Sequence, residues 1–275
     1  MINWSELAGK SRMHARAAAN RFGYDVHKID PVPDLTPARP PTTLPTAEAG
    51  TARLMQQTRP RAVIDVGANV GQFASWVRAS GFTGPIISFE PQPDEHAELL
   101  RASENDPDWT IVPRVAVGSA DGAAQIHLAG NSQSSSLLKM LDLHVVNAPD
   151  SAYVGTVETP VRRLDDLLAE ADFDPTDALL KVDTQGYEHE VLRGAPDTLG
   201  RISSAMLELS LAPLYDGQAL ASNLFTLLGS AGLELSMLIG CFNSGDGEIL
   251  QCDGAFTRLL ESEKLEKVVD LDLSI

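Results

Sequence analysis

The chain has 275 residues, 43% of them apolar, and a formal charge of −17 from 21 basic and 38 acidic side chains. That length and composition suit one large domain with a small appendage, with apolar surface enough for a core that needs no staple. The charge repels phosphate backbones, so nucleic acid is not an expected partner. Cys241 and Cys252 show neither a metal-ligand spacing nor a disulfide framework. A hairpin would set them opposite each other, but two reduced thiols are expected. No apolar run is long enough to span a bilayer, and the N-terminus lacks a signal-peptide core, so the default expectation is a cytoplasmic enzyme.

Residues 1–30 form a basic arm with Lys10, Arg12, Arg16, Arg21 and Lys28 against Glu6 and Asp25. Its Ala/Arg-rich centre reads as a helix with a weak apolar side, suiting a surface helix packed on the domain. A lid, or a foot on an anionic membrane, is the functional alternative. Residues 31–45 carry six prolines and read as an extended linker. The main domain is expected over 46–260, followed by a charged tail over 261–275.

A helix over 46–58 leads into an apolar run, Ala62 to Val66, that contains Asp65 and ends in the turn Gly67-Ala68-Asn69-Val70-Gly71. Phe73, Trp76 and Val77 then follow at helical spacing. Strand, small-residue turn and helix is how open α/β folds receive a nucleotide-like ligand. A dinucleotide fingerprint needs glycines at the first, third and sixth places, which here hold Gly67, Asn69 and Gln72. The pattern acid-x-Gly-x-(Gly/Asn)-x-Gly instead resembles motif I of S-adenosylmethionine (SAM) methyltransferases.

Further strands are expected at 85–90, ending in Phe89-Glu90, and at 110–118, ending in Ala116-Val117-Gly118. Asp121-Gly122 signals a hairpin to a short strand over 124–128. A polar loop, 130–136, precedes a helix around 137–146, a short strand over 154–161 and a helix over 164–171. Strands at 178–183 and 204–209, a helix over 220–231, and an antiparallel pair at 233–239 and 250–256 complete the domain. Alternating strands and helices predict an α/β fold with a mostly parallel sheet and an antiparallel edge strand. Together these resemble the seven-stranded, Rossmann-like class I methyltransferase architecture.

Ligands in such sheets bind beyond the carboxyl ends of the strands. The first end offers Asp65, Gly67, Asn69 and Gly71. The second offers Phe89 and Glu90, whose carboxylate suits ribose hydroxyls. The third offers Ala116 and Val117, small enough to sit beside a flat ring.

The fourth end is Lys181-Val182-Asp183-Thr184-Gln185-Gly186-Tyr187-Glu188. This segment resembles the signature K-[IV]-D-x-[EQ]-G-x-E of the FkbM family of SAM-dependent methyltransferases. Val191 to Ala195, Met206 to Ser210, Leu214 to Gln218, Gln251 to Phe256 and the serine-rich loop Asn131 to Leu137 are similar to that family in the same order. The resemblance spans about residues 60–258 and leaves out the arm and linker. It implies O-methylation of a hydroxyl on a sugar or secondary metabolite, with a small-molecule or glycolipid acceptor. It also implies SAM at Asp65, Gly67, Asn69, Gly71 and Glu90, with Asp183 and Glu208 bordering the acceptor. Gln185 stands where many members have Glu, so metal or base chemistry carried by that Glu would not transfer.

A hydroxyl needs a base within hydrogen-bond reach. Asp183 leads, with an anchoring role at the cofactor as its alternative; Glu208, His144 and His189 follow, and Glu188 is expected to support the turn. Ser135, Gln185 and Tyr215 are the expected acceptor contacts, although Tyr215 could equally be core. Asp183 with Glu208 would suit Mg²⁺, but no third ligand shows and no metal is predicted. A homo-oligomer is compatible with the sequence. The competing readings are a nicotinamide-dependent oxidoreductase and a noncatalytic SAM-binding module.

Overall fold

The computed structural model describes residues 45–258. The basic arm, nearly all of the proline linker and the charged tail lie outside them.

Helix α1 (Ala47–Thr58) starts where the Thr46 hydroxyl accepts the Ala49 N–H, a side-chain N-cap. Strand β1 (Val63–Val66) is buried at every position, as expected for a central parallel strand. Helix α2 (Gln72–Ala79), β2 (Ile86–Phe89), α3 (Pro93–Ser103) and β3 (Trp109–Ile111) follow. Pro93 opens α3, and Asp94 and Glu95 occupy its first turn, where proline and acids suit a helix start.

The sequence suggests one strand over 110–118, but the chain breaks it. β3 ends at Ile111 in the main sheet, and β4 (Ala116–Val117) belongs to a second sheet. Pro113 lies between them; it has no N–H for a ladder and restricts the residue before it. The expected hairpin at Asp121-Gly122 does not form either. β5 (Gly122–Ala129) pairs antiparallel with β6 (Tyr153–Arg162), which also takes β4 as a parallel neighbour. The two-residue β4 cannot compete with the long β5–β6 ladder. The helix expected around 137–146 shrinks to α4 (Asp142–Asn147). Before it, the backbone binds another segment: Leu141 N–H donates to Leu214 O and Asp216 N–H to Lys139 O.

Helix α5 (Leu164–Glu170), β7 (Leu179–Val182), α6 (Glu188–Arg193), α7 (Pro196–Arg201), β8 (Ser204–Ser210), α8 (Ala221–Ser230), β9 (Leu233–Asn243) and β10 (Ile249–Arg258) complete the domain. The seven-stranded sheet runs β3-β2-β1-β7-β8-β10-β9. Its first five strands are parallel; β10 is antiparallel to both neighbours at the far side. This is the predicted mostly parallel α/β architecture with antiparallel pairing at one edge.

Side-chain alternation divides the core. Ile64, Val66, Leu180, Val182 and Leu207 meet α5, α6 and α8 on one face. Val63, Leu179 and Met206 meet Leu54, Phe73 and Val77 of α1 and α2 on the other. On that second face the register aligns Asp65 with Lys181, Lys181 with Met206, and Glu208 with Asp253. A polar row thus emerges where the apolar one ends. Chain order reverses between β1 and β7, the switch point at which such sheets bind ligands. Among the described residues no helix is long and apolar enough to cross a membrane.

Candidate active site

A cavity of about 360 Å³ opens at that switch point, within the range of small-molecule sites. Its walls come from the β1 turn, the ends of β2, β7 and β8, strand β10, β4 and the serine-rich loop.

At the β1 turn, Gly67 has φ 76° and a Cβ there would lie 1.9 Å from the Asp183 carbonyl oxygen. Only glycine lets the two strand ends approach so closely. Asn69 has φ 49°, a left-handed conformation that asparagine tolerates. Its N–H donates to Glu90 Oε2 at 2.7 Å, and the Gln92 N–H donates to Glu90 Oε1 at 2.8 Å. Glu90 is buried and lines the cavity. Burial pushes its carboxyl up to about 7, against the pull of the two N–H donors. Asn69 Nδ2 also donates to Ser132 Oγ, tying the turn to the serine-rich loop.

Among the described residues, Lys181 is the one cation that lines the site. Its Nζ donates to Gly67 O at 2.8 Å and lies 3.4 Å from Asp65 Oδ1 and 3.6 Å from Asp183 Oδ2. Burial works against its charge, but Asp65 and Asp183 outweigh that and raise its pKa. Asp65 is wholly buried; desolvation raises its carboxyl and Lys181 opposes the rise.

At the β7 end, Asp183 keeps 43% of its side-chain surface exposed and faces the cavity. Gln185, at φ 54°, fastens this end. Its Nε2 donates to Asp183 Oδ1 at 2.8 Å and to the two Glu208 oxygens at 2.9 Å each. Its Oε1 accepts from the Tyr215 hydroxyl at 2.9 Å, and its backbone oxygen accepts from Ser136 Oγ at 2.6 Å. Glu188 braces the turn, as expected, by accepting from the Thr184 and Gly186 N–H groups. Desolvation, then Asp183, Glu188 and Asp253, raise Glu208 well above the ordinary carboxylate range.

The structure gathers most of the predicted residues here: Gly67, Asn69, Phe89, Glu90, Ala116, Val117, Ser135, Asp183, Gln185 and Glu208 all line the cavity. Five predicted residues do not. His189, on α6, sits beside Glu190, outside the cavity lining. Asp65 lies beneath the site as the buried partner of Lys181. Gly71 packs against α3 and β3, where a Cβ would meet the Trp109 ring at 2.7 Å. Tyr215 is fully buried, with its hydroxyl donating to Gln185 Oε1. His144, proposed as a base, is enclosed instead between Tyr215 and Phe242, with ring centroids 5.2 and 5.8 Å away. Burial lowers its pKa, and among the described residues its Nδ1 has no partner. The 139–141 backbone before α4 pairs with the 214–216 segment, and no residue of α4 lines the cavity.

A model of the methyltransferase FkbM domain matches residues 65–235, more than half of the chain. The chain belongs to the FkbM methyltransferase family. It is 26% identical over 174 residues to the 2-O-methyltransferase NoeI of Sinorhizobium fredii, covering 61% of this chain and 71% of that protein. It is 27% identical over 145 residues to the hexuronic acid methyltransferase AglP of Haloferax volcanii, covering 53% and 54%. The solved structure of magnesium protoporphyrin IX methyltransferase (ChlM) from Synechocystis PCC 6803 with bound SAM aligns over 77% of each chain, at 10% identity and a TM-score of 0.43.

Two charged lining residues of this FkbM methyltransferase lie in segments that carry the family pattern, yet their types point to no role in the sequence: Lys181 and Asp253. Two places before Asp183, Lys181 points to the same face of its strand, and that period was the available signal for it. Asp253 carried no such signal, because its approach to Glu208 depends on β10 inserting between β8 and β9. Among the described residues, no three His, Cys, Asp or Glu side chains converge in a metal-binding arrangement.

Proposed function

We propose that this FkbM methyltransferase transfers a methyl group from SAM to a hydroxyl oxygen of a sugar or other glycosylated small molecule. The observation that carries the reading is the junction of the β1 turn with the β7 end, where Gly67 packs on the Asp183 carbonyl inside one cavity. One side suits the donor. The Gly67–Asn69 backbone is open to the cavity, Glu90 offers carboxylate lone pairs for ribose hydroxyls, and Phe89, Ala116 and Val117 leave an apolar slot for a flat base. The other side presents Asp183, Gln185, Glu208 and Ser135 to an acceptor.

SAM supplies a methyl carbon already activated by positive sulfur. The protein's share is positioning and proton removal. Asp183 is the group we assign to the hydroxyl proton: it faces the cavity, and Gln185 and Lys181 fix its orientation from two directions. Lys181 also joins the donor turn to the base through Gly67 O. Among relatives, NoeI is named for 2-O-methylation and AglP for a hexuronic acid. Those names, with the hydroxyl-rich loop along the cavity, support a sugar acceptor here.

Calorimetry tests the donor: SAM and S-adenosylhomocysteine should both bind, and NAD(H) should not. Transfer of labelled methyl from SAM into an extract, with mass spectrometry of the product, should yield an O-methylated hydroxyl compound. Saturable NAD(H) binding without SAM binding would overturn the reading.

A further inference from the structure

Among the described residues, the charges around the cavity do not balance. Its walls carry Glu90, Asp183, Glu208 and Asp253 against one ammonium, Lys181. Lys181 is already engaged by Asp65 and Asp183. Glu208 and Asp253 are direct partners across the β8–β10 ladder, and like charges set opposite each other on neighbouring strands repel. Glu208 receives only the neutral Gln185 amide. Asp253 has no hydrogen-bond or ion-pair partner among the described residues. Among the described residues, the elements packed around the pair add nothing basic beyond Lys181. β7 brings Lys181 and Asp183, and α6 brings Glu188. β9 sets Ile239 opposite Asp253. The charged residues of α1, Glu48 and Arg53, are exposed.

We propose that Glu208 and Asp253 form a charge-sensing wall that carries a proton while the cavity is empty or holds neutral product, and gives it up when the cationic donor binds. This rests on the reading of the cavity as a SAM site. SAM carries a sulfonium and S-adenosylhomocysteine a neutral thioether, while the two share nucleoside and amino acid. The wall therefore distinguishes donor from product by charge alone. Burial and Asp183 push Asp253 up to about 7, and burial with Asp183, Glu188 and Asp253 raises Glu208 well above the ordinary carboxylate range, which suits a shared proton on the pair.

The cycle balances. One proton leaves the wall for solvent as the cation enters. In transfer, the C–S bond breaks as the C–O bond forms, and the hydroxyl proton passes to the cavity carboxylates, Asp183 first. The cavity then holds neutral thioether beside a protonated carboxyl group, with no unpaired cation to retain the product.

Calorimetric titration with SAM and with S-adenosylhomocysteine between about pH 6 and 8 tests this on the full chain without an acceptor. Loss of one proton on binding makes SAM affinity rise by up to about tenfold per pH unit. S-adenosylhomocysteine affinity should stay nearly flat. SAM binding should also release a proton, seen as a dependence of heat on the buffer's ionisation enthalpy. In Asp253→Asn or Glu208→Gln the SAM slope should flatten, while retained S-adenosylhomocysteine binding reports an intact fold. Equal pH slopes for the two ligands, or a SAM slope that survives both substitutions, would overturn the wall and leave the SAM site standing. Binding of neither ligand by the unaltered protein would overturn the SAM site and the wall with it.

Discussion

Lys181 and Asp65 face each other across the β1–β7 seam, Nζ 3.4 Å from Oδ1, with the Asp65 side chain wholly enclosed. A buried pair contributes little beyond its own desolvation, but removing one partner strands the other. Lys181→Met should therefore cost about 3–5 kcal/mol of stability. Adding Asp65→Asn should recover much of it, because the stranded carboxylate disappears. Urea unfolding of both single variants and the double variant measures the coupling. Additive losses would show that the two side chains act independently.

Two glycines of one motif have different jobs. Gly67→Ala would force a Cβ to within 1.9 Å of the Asp183 carbonyl at a φ of 76°, separating the donor turn from the β7 end. Gly71→Ala meets the Trp109 and Leu99 side chains at a φ of 93°, away from the cavity. Both should lower stability, by at least the roughly 1–2 kcal/mol that a left-handed alanine costs. Only Gly67→Ala should weaken SAM by more than about tenfold, which is about 1.4 kcal/mol. Calorimetry on the two variants at a temperature where both remain folded separates the roles.

This contrast also shows what the sequence made legible. The parallel core was readable because strand-length apolar runs alternate with helical spacings, and its ligand end followed from the fold. The side sheet of β4, β5 and β6 was not. Nothing local reveals that the long β5–β6 ladder outcompetes the two-residue β4, or that Pro113 divides what looks like one strand. Glu90 and Asp183 reach the cavity because each directly follows a buried strand. His144 lies outside the cavity lining for the opposite reason: its nearness in sequence to the serine-rich loop says nothing about the 139–141 backbone pairing with 214–216.

His144→Phe should accordingly keep methyl transfer and its pH profile. The ring packs edge-on to Tyr215, and phenylalanine removes a buried nitrogen that has no partner among the described residues. Stability should hold or rise by about 1 kcal/mol, the scale of relieving an unmet polar group. A tenfold fall in turnover with unchanged stability would return His144 to the chemistry.

Tyr215 acts at one remove. Its hydroxyl donates to Gln185 Oε1 from a fully buried ring, so Tyr215→Phe should leave acceptor KM nearly unchanged while lowering kcat. Stability should fall by about 1–2 kcal/mol for the orphaned amide oxygen. Gln185→Leu should do more, because it frees both Asp183 and Glu208 from their shared donor. A KM effect in Tyr215→Phe larger than its kcat effect would place that side chain against the acceptor instead.

The carboxyls that line or brace the cavity set an unusual stability profile. Burial pushes Glu90, Glu188 and Asp253 up to about 7, above their unfolded values, so the native state binds more protons than the unfolded chain in between. Their contribution is complete below the unfolded pKa and is lost as pH rises through about 7. Asp106, lowered chiefly by its hydrogen bond to Arg78, has the opposite sign and only a small effect at these pH values. The protein should therefore unfold at lower denaturant at about pH 8 than at about pH 5.5. Asp253→Asn should already be the more stable protein near the lower pH, and its advantage should grow by about 2 kcal/mol by the higher one, where the parent must keep charged a half-buried carboxylate that has no partner among the described residues. Guanidinium unfolding at the two pH values decides this, and stability that rises with pH in the parent protein would refute the assignment of these three groups.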